Sequence, residues 1–329
     1  MSASGRLWLI YALGGGWGHL TRAASLARAA QSRHRVRVLT NSPYVTQVAK
    51  AMPELDLIAL DPSLTAATAR SYAVRQIEAA DPGCLIVDTF PRGLGGELVN
   101  LLGSIKATKV LIHRDLNPHY VEEAELHEFV RSTYDLVLIP GEDEAGAFAD
   151  LHKAVVTEPW LIRDPPQNHQ RAGQPRIVVC ASGNSDELHW YGAVVACLRE
   201  LDTRVEVRCV APTCPPGCPP ECWVQHWPAA DLYSSADVVI GSAGYNTIHE
   251  CMAHQVPLIA HPWPRKYDRQ WLRASRAAKR GSVTIVEDPG EAAEAAMRQL
   301  TQVTSPRCAV DFQNGAISAV LWIEQAAAV

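Results

Sequence analysis

At 329 residues the chain is too long for one small domain and suits two of about 150 residues each. A hydrophobic share of 47% and a net charge of −5 describe a globular protein with substantial cores. They give no basic footprint for a nucleic-acid partner, and no apolar run reaches the roughly 18 residues of a membrane-spanning helix, which leaves at most peripheral membrane contact.

The first strand is read at Leu7–Leu13. It leads into glycines rather than a cleavage site, so it is a core strand and not a signal peptide. The expected location is the cytoplasm, where thiols stay reduced. Further β-branched runs follow at Val36–Thr40, Leu57–Leu60, Cys84–Asp88, Lys109–His113, Leu136–Ile139 and Ala154–Thr157. Helical periodicity is clearest at Leu20–Ala30, Leu64–Ala80 and Gly95–Leu102. Near-continuous apolar strands between helices predict a parallel sheet covered on both faces.

From Glu158 to Pro175 the rhythm breaks at Pro159, Pro165, Pro166 and Pro175, a linker composition. Strands then resume at Arg176–Cys180, Glu206–Val210, Val238–Gly241, Pro257–Ala260 and Val283–Val286. A break at Ser305–Pro306 precedes a last apolar helix, Gly315–Ala327. The reading is α/β, with two doubly wound Rossmann-like domains, 1–158 and 176–313, facing a cleft. A hinge at 159–175 joins them, and the helical tail 314–329 is expected to pack back on the first domain.

Two loops carry candidate chemistry. After the first strand stands Gly14-Gly15-Gly16-Trp17-Gly18-His19. Glycines let backbone approach a ligand, and a helix start offers free N–H groups. The spacing is not that of a dinucleotide fingerprint, and Thr40 and Asn41 stand where a ribose-binding carboxylate would close the second strand. His19 titrates near neutrality and can take a proton from a hydroxyl. Asp88, ending its strand, either shapes the turn before Pro91 or holds the second nitrogen of His19. Trp17, Arg22, Phe90, His113 and Arg114 are candidates to line an acceptor pocket, with Asp115 beside them.

In the second half a buried strand ends in Gly241-Ser242-Ala243-Gly244, and a helix with Tyr245, Asn246 and Glu250 starts at once. Small residues at a helix N-terminus cradle a diphosphate, and Glu250 can accept both hydroxyls of a ribose. Ser182, Gly183 and Asn184 form a second candidate cradle. Trp227 is a candidate to face the base, and Asp268, Arg269 and Gln270 to face a sugar. Of the nine cysteines, Cys214, Cys218 and Cys222 lie in a proline-stiffened loop. Their spacing is not a common zinc pattern, and no metal is assigned.

These residues resemble glycosyltransferase family 28, the peptidoglycan N-acetylglucosaminyltransferases and their relatives. The shared pattern is Ser242-Ala243-Gly244, Glu250, Pro257, Pro262 and Gln270, with a glycine loop ending in Gly18-His19. The extended Gly-His-x-x-Arg form, with Arg22, is similar to a branch of these enzymes. The resemblance implies a GT-B fold and inverting transfer from a nucleotide sugar, with a UDP-sugar as the expected donor and no metal or other cofactor. It implies that Glu250 binds ribose, that Gln270 binds the donor sugar, and that Gly16, Gly18, Gly244 and Ser182-Gly183-Asn184 lie near donor groups. It also implies His19 as base, paired with Asp88. Arg273 departs from the Asn often found in relatives. A nucleotide-sugar 2-epimerase and a non-catalytic nucleotide-sugar-binding regulator share the fold and remain alternatives.

Overall fold

The computed structural model describes residues 6–114, 116–141, 146–166, 173–302 and 312–328. Asp115, the middle of the expected hinge and the Ser305–Pro306 break lie outside the described residues. The chain divides into two compact units, Met1–Ile162 with Gln313–Val329, and Arg163–Phe312.

In the first unit β1 (Trp8–Ala12), α1 (Trp17–Ala30), β2 (Val36–Thr40), α2 (Val45–Ala51), β3 (Asp56–Ala59), α3 (Ala66–Ala80), β4 (Cys84–Asp88), α4 (Val99–Ser104) and β5 (Thr108–Ile112) follow in turn. α5 (Pro118–Glu123), α6 (Leu126–Thr133), β6 (Leu136–Pro140) and β7 (Ala154–Thr157) complete the run. The seven strands form one sheet in the order β3-β2-β1-β4-β5-β6-β7, and every pairing is parallel. All residues of β1, β4 and β6 are buried, as a sheet covered on both faces requires. The order reverses between β1 and β4, so their C-terminal ends flank the topological switch point where such sheets bind ligands.

The second unit runs β8 (Arg176–Cys180), α7 (Ser185–Leu201), β9 (Glu206–Val210), β10 (Trp223–Val224), a 3-10 segment (Ala229–Ser235), β11 (Val238–Ser242), α8 (Tyr245–Ala253), β12 (Leu258–His261), α9 (Gln270–Lys279), β13 (Val283–Ile285) and α10 (Pro289–Gln302). Its parallel sheet has the order β10-β9-β8-β11-β12-β13. Alternate residues of one strand feed opposite cores: Ile177 and Val179 join one cluster, and Val178 joins the other.

Several boundaries differ from the sequence reading. Helix α1 begins at Trp17 rather than Leu20, because a glycine-rich start still has helical backbone to offer once Leu20, Ala23 and Ala24 are buried. Trp223 and Val224, outside the strands read from sequence, add a short edge strand beside β9. The first unit reaches Ile162 instead of ending at 158. Trp160 anchors this extension, buried with its indole N–H donated to Thr157 Oγ1 at 2.8 Å.

The final helix α11 (Gly315–Ala327) packs on α1 of the first unit. Asn314 caps it, and its side chain also accepts from Leu161 N at 3.2 Å and donates to Leu161 O at 2.9 Å. Burial of Ala316, Ala319, Val320 and Ile323 contributes about 5 kcal/mol before entropy is charged against it. At the rim Glu324 accepts from His34 at 2.6 Å and Arg33 at 2.7 Å.

Candidate active site

In the first unit, His19 lies in the first turn of α1 and Asp88 at the end of β4. Their side chains meet at 2.5 Å between Nδ1 and Oδ2. The imidazole keeps 14% of its side-chain surface exposed, while Asp88 is wholly buried. Nδ1 is therefore engaged, and Nε2 is left as the nitrogen able to receive a substrate proton. Burial lowers the basicity of His19, the bond to Asp88 raises it, and the guanidiniums of Arg22 and Arg114 lower it again. The balance falls below the ordinary value, which favours the neutral ring.

The backbone is fitted to this ring. A Cβ on Gly14 would lie 2.2 Å from His19 Cδ2 and 2.3 Å from Nε2, so the imidazole occupies space that only glycine leaves open. The N–H groups of Gly14 and Gly15 are donated to Asn41 Oδ1 at 2.9 and 3.0 Å. That part of the loop is committed to protein, whereas Gly16 caps α1 with no side-chain bond. Phe90 stacks on the His19 ring at 5.5 Å, and Trp17 stacks on Tyr44 at 4.0 Å with the planes 2° apart.

Arg22 does not line an acceptor pocket. It is 1% exposed and grips Asp88 with both arms of its fork, Nε to Oδ1 and Nη2 to Oδ2, each at 2.7 Å. Its position three residues after His19 puts both side chains on one helix face, which packs toward the end of β4. Burial pushes the Asp88 carboxyl up, but the Arg22 and His19 charges and hydrogen bonds outweigh this and hold it well below the usual range. His113 is also withdrawn from any pocket, 1% exposed and packed on the Phe148 ring at 4.5 Å. Thr89, which the sequence reading passed over, completes the cluster. Its φ of 69° is costly for a β-branched residue, about 1–3 kcal/mol. Its hydroxyl accepts from Arg22 Nη2 at 3.0 Å, which helps to hold that conformation.

In the second unit β11 delivers Ser242-Ala243-Gly244 to the start of α8. Gly244 caps α8 with no side-chain bond, and no acidic residue stands in the first turn. Neither a cap side chain nor a first-turn carboxylate competes there with an anion for the positive end of the helix dipole. The other candidate cradle is differently built. Asn184 Oδ1 caps α7 by accepting from Glu187 N at 3.0 Å. Glu187 itself is buried and bound by Arg265 at 2.6 and 2.7 Å. A Cβ on Gly183 would lie 1.8 Å from Glu187 Oε2. A carboxylate thus already occupies the space over Gly183, and α8 is the better anion site.

Glu250 projects from α8 and is 7% exposed. Burial, and secondly the charge of Asp231, push its carboxyl up to about 8. A buried acid without a compensating cation is costly, and a ligand offering hydroxyl donors would relieve it. Tyr245 is 1% exposed beneath the helix, which removes its ring from a donor-binding role, and Ala243 is fully buried with its carbonyl accepting from Arg273 Nη1 at 3.2 Å. Arg273 also binds Asp268 at 2.8 Å. Gln270 is 6% exposed and accepts from Trp263 N at 3.0 Å. Asn246 is half-buried, and Trp227 is buried. Among the described residues no group of three or more His, Cys, Asp or Glu is disposed to hold a metal ion. Cys218 and Cys222 are free thiols packed into the core beneath α7.

Residues 226–321 match the sequence model of the glycosyltransferase family 28 C-terminal domain. Across 98% of the chain the fold is similar to the Streptomyces sp. SF2575 glycosyltransferase SsfS6 complexed with thymidine diphosphate, with TM-score 0.62, 15% identity and the whole of that chain covered. The chain has the GT-B fold. Spinosyn rhamnosyltransferase SpnG, complexed with thymidine diphosphate, aligns with 98% of this chain and 96% of its own, at TM-score 0.61 and 17% identity. MurG of Acinetobacter baumannii aligns with 98% and with 100% of its own chain, at TM-score 0.58 and 16% identity. No curated protein matches by sequence. Among the described residues no helix is long and apolar enough to cross a membrane.

Proposed function

We propose that the protein is a glycosyltransferase that moves a sugar from a nucleoside-diphosphate donor held by the second unit to a hydroxyl of an acceptor held by the first, with inversion at the anomeric carbon. The observation that carries the reading is the His19–Asp88 pair, an imidazole held at Nδ1 with its ring partly exposed. In the reaction His19 Nε2 takes the hydroxyl proton as the acceptor oxygen bonds to the anomeric carbon and the bond to the diphosphate breaks. The uncapped start of α8 stabilises the departing charge. Asp88 has both oxygens engaged by protein donors, which disfavours it as the nucleophile of a retaining double displacement.

Glu250 is assigned to the ribose, where two vicinal hydroxyls donate to its carboxylate. A site built around hydroxyl donors discriminates against a ligand that lacks one. This favours a uridine over a deoxyribonucleotide donor, although two similar enzymes were solved with thymidine diphosphate. Calorimetric titration of UDP against 2′-deoxyuridine diphosphate isolates that hydroxyl, and roughly tenfold weaker binding of the deoxy form is expected. Equal affinity overturns the ribose assignment. His19→Ala is expected to bind UDP like the wild type while losing about 100-fold or more in turnover; a turnover near normal removes His19 from the chemistry.

A further inference from the structure

We propose that Arg22 is a positioning residue that sets the proton affinity of the His19–Asp88 couple and keeps His19 neutral, with its proton on Nδ1, at the pH where transfer occurs. The inference rests on the reading of His19 as the base. It concerns a residue that makes no contact with the reacting atoms and acts through Asp88.

The geometry is a closed network. Asp88 Oδ1 accepts from Arg22 Nε at 2.7 Å. Asp88 Oδ2 accepts from Arg22 Nη2 at 2.7 Å and faces His19 Nδ1 at 2.5 Å. Thr89 Oγ1 donates to the same oxygen at 3.3 Å and accepts from Arg22 Nη2 at 3.0 Å. The side chains of Arg22 and Asp88 have no solvent exposure, so water does not screen their charges.

Charge balance in such a site decides where a proton resides. With a neutral imidazole, the Arg22 cation and the Asp88 anion sum to zero. A proton added to His19 then leaves one uncompensated positive charge in a desolvated place. Without Arg22, the same site holds one uncompensated negative charge, and a proton on His19 neutralises it. An Asp–His pair alone holds its proton to higher pH, which lowers the share of neutral imidazole able to accept one. Arg22 trades some basicity for availability of Nε2. It also fixes the carboxylate plane with a two-point fork, so Oδ2 is aimed at Nδ1 and the tautomer is set. The charged groups facing His19 are Asp88 from β4, Arg22 from α1 and Arg114 beyond β5, and burial with the two cations outweighs the aspartate.

The test is a pH titration of the whole protein labelled with 15N-histidine, read by NMR. Among the 12 histidines, His19 is assigned by the signal missing from His19→Asn. Wild-type His19 is expected to remain the neutral Nδ1–H tautomer at pH 7. In Arg22→Met its protonation should move upward by ~1–3 pH units, with the acidic limb of kcat/KM moving equally once an acceptor is in hand. Arg22→Lys, which keeps the charge, should stay within about half a pH unit of wild type. Arg22→Met/Asp88→Asn, with no buried charge, should return His19 to low proton affinity. It also keeps the test open if Arg22→Met alone does not fold. A wild-type His19 protonated above pH 7 overturns the inference, as does an unshifted His19 in folded Arg22→Met or a raised one in the double variant. Loss of the base assignment is recognised separately, by turnover that survives His19→Ala.

Discussion

Replacing Glu250 by Gln should stabilise the free protein in alkaline solution while weakening nucleotide binding. Glu250 is 7% exposed; burial first and Asp231 second raise its carboxyl from 4.5 to about 8. The unfolded chain therefore loses this proton near 4.5, and the folded chain holds it until about 8. Stability contributed by this group is complete below 4.5 and declines as pH rises between the two values. At ~1.4 kcal/mol per pH unit the full loss is about 5 kcal/mol, and relaxation that admits water to the carboxylate brings it to ~2–5 kcal/mol. Glutamine has nearly the same shape and no charge to desolvate. Thermal melts of the two proteins should coincide near pH 4.5 and separate by several degrees at pH 8.5, the variant melting higher. Comparing the variants cancels every other titrating group. With UDP present the order should invert, because the ribose hydroxyls bond a carboxylate more strongly than a neutral amide. Binding at pH 7 should also release up to about one proton, measurable by calorimetry in buffers of different ionisation heat, and Glu250→Gln should release none. A melting difference that does not vary with pH, or a variant less stable throughout, refutes the reasoning.

Gly14→Ala places a methyl 2.2–2.3 Å from the His19 ring, so steady-state kinetics should show kcat reduced by about 100-fold, with UDP affinity measured by calorimetry unchanged. Gly315→Ala drives a Cβ to 1.8 Å from the Glu158 carbonyl. It should lower stability by about 1–3 kcal/mol in denaturant titration and expose the α11 amides to hydrogen exchange before those of β1.

The strands were legible because each is a short, nearly continuous apolar run. Val36–Thr40, Cys84–Asp88 and Arg176–Cys180 emerge with the boundaries read from sequence. The Gly-His loop and the Ser242-Ala243-Gly244 turn were legible for a related reason. Glycine and small residues between a strand and a helix mark backbone that must pass close to something. Which side chains face that something was less legible. His113, Tyr245 and Arg22 share the polar character of ligand-binding residues, yet all three are buried. Periodicity gives no sign of this, because a polar residue turned inward and one turned outward occupy the same register. Asn41 and Thr89, which brace the glycine loop and Arg22, carry no motif at all.

Composition and apolar patterning alone determined that this is a two-part α/β protein, with glycine- and small-residue turns after the first strand of one half and the third strand read in the other. Those features are local, since a strand's burial and a turn's flexibility are encoded in adjacent residues. Tertiary structure decided that Asp88 is held between His19 and Arg22, that α7 and not α8 carries a side-chain cap, and that Glu250 is a buried acid with a raised proton affinity. Each of these depends on charges brought together from distant segments. Desolvation and Coulomb energy are functions of three-dimensional distance, which the order of residues along the chain does not contain.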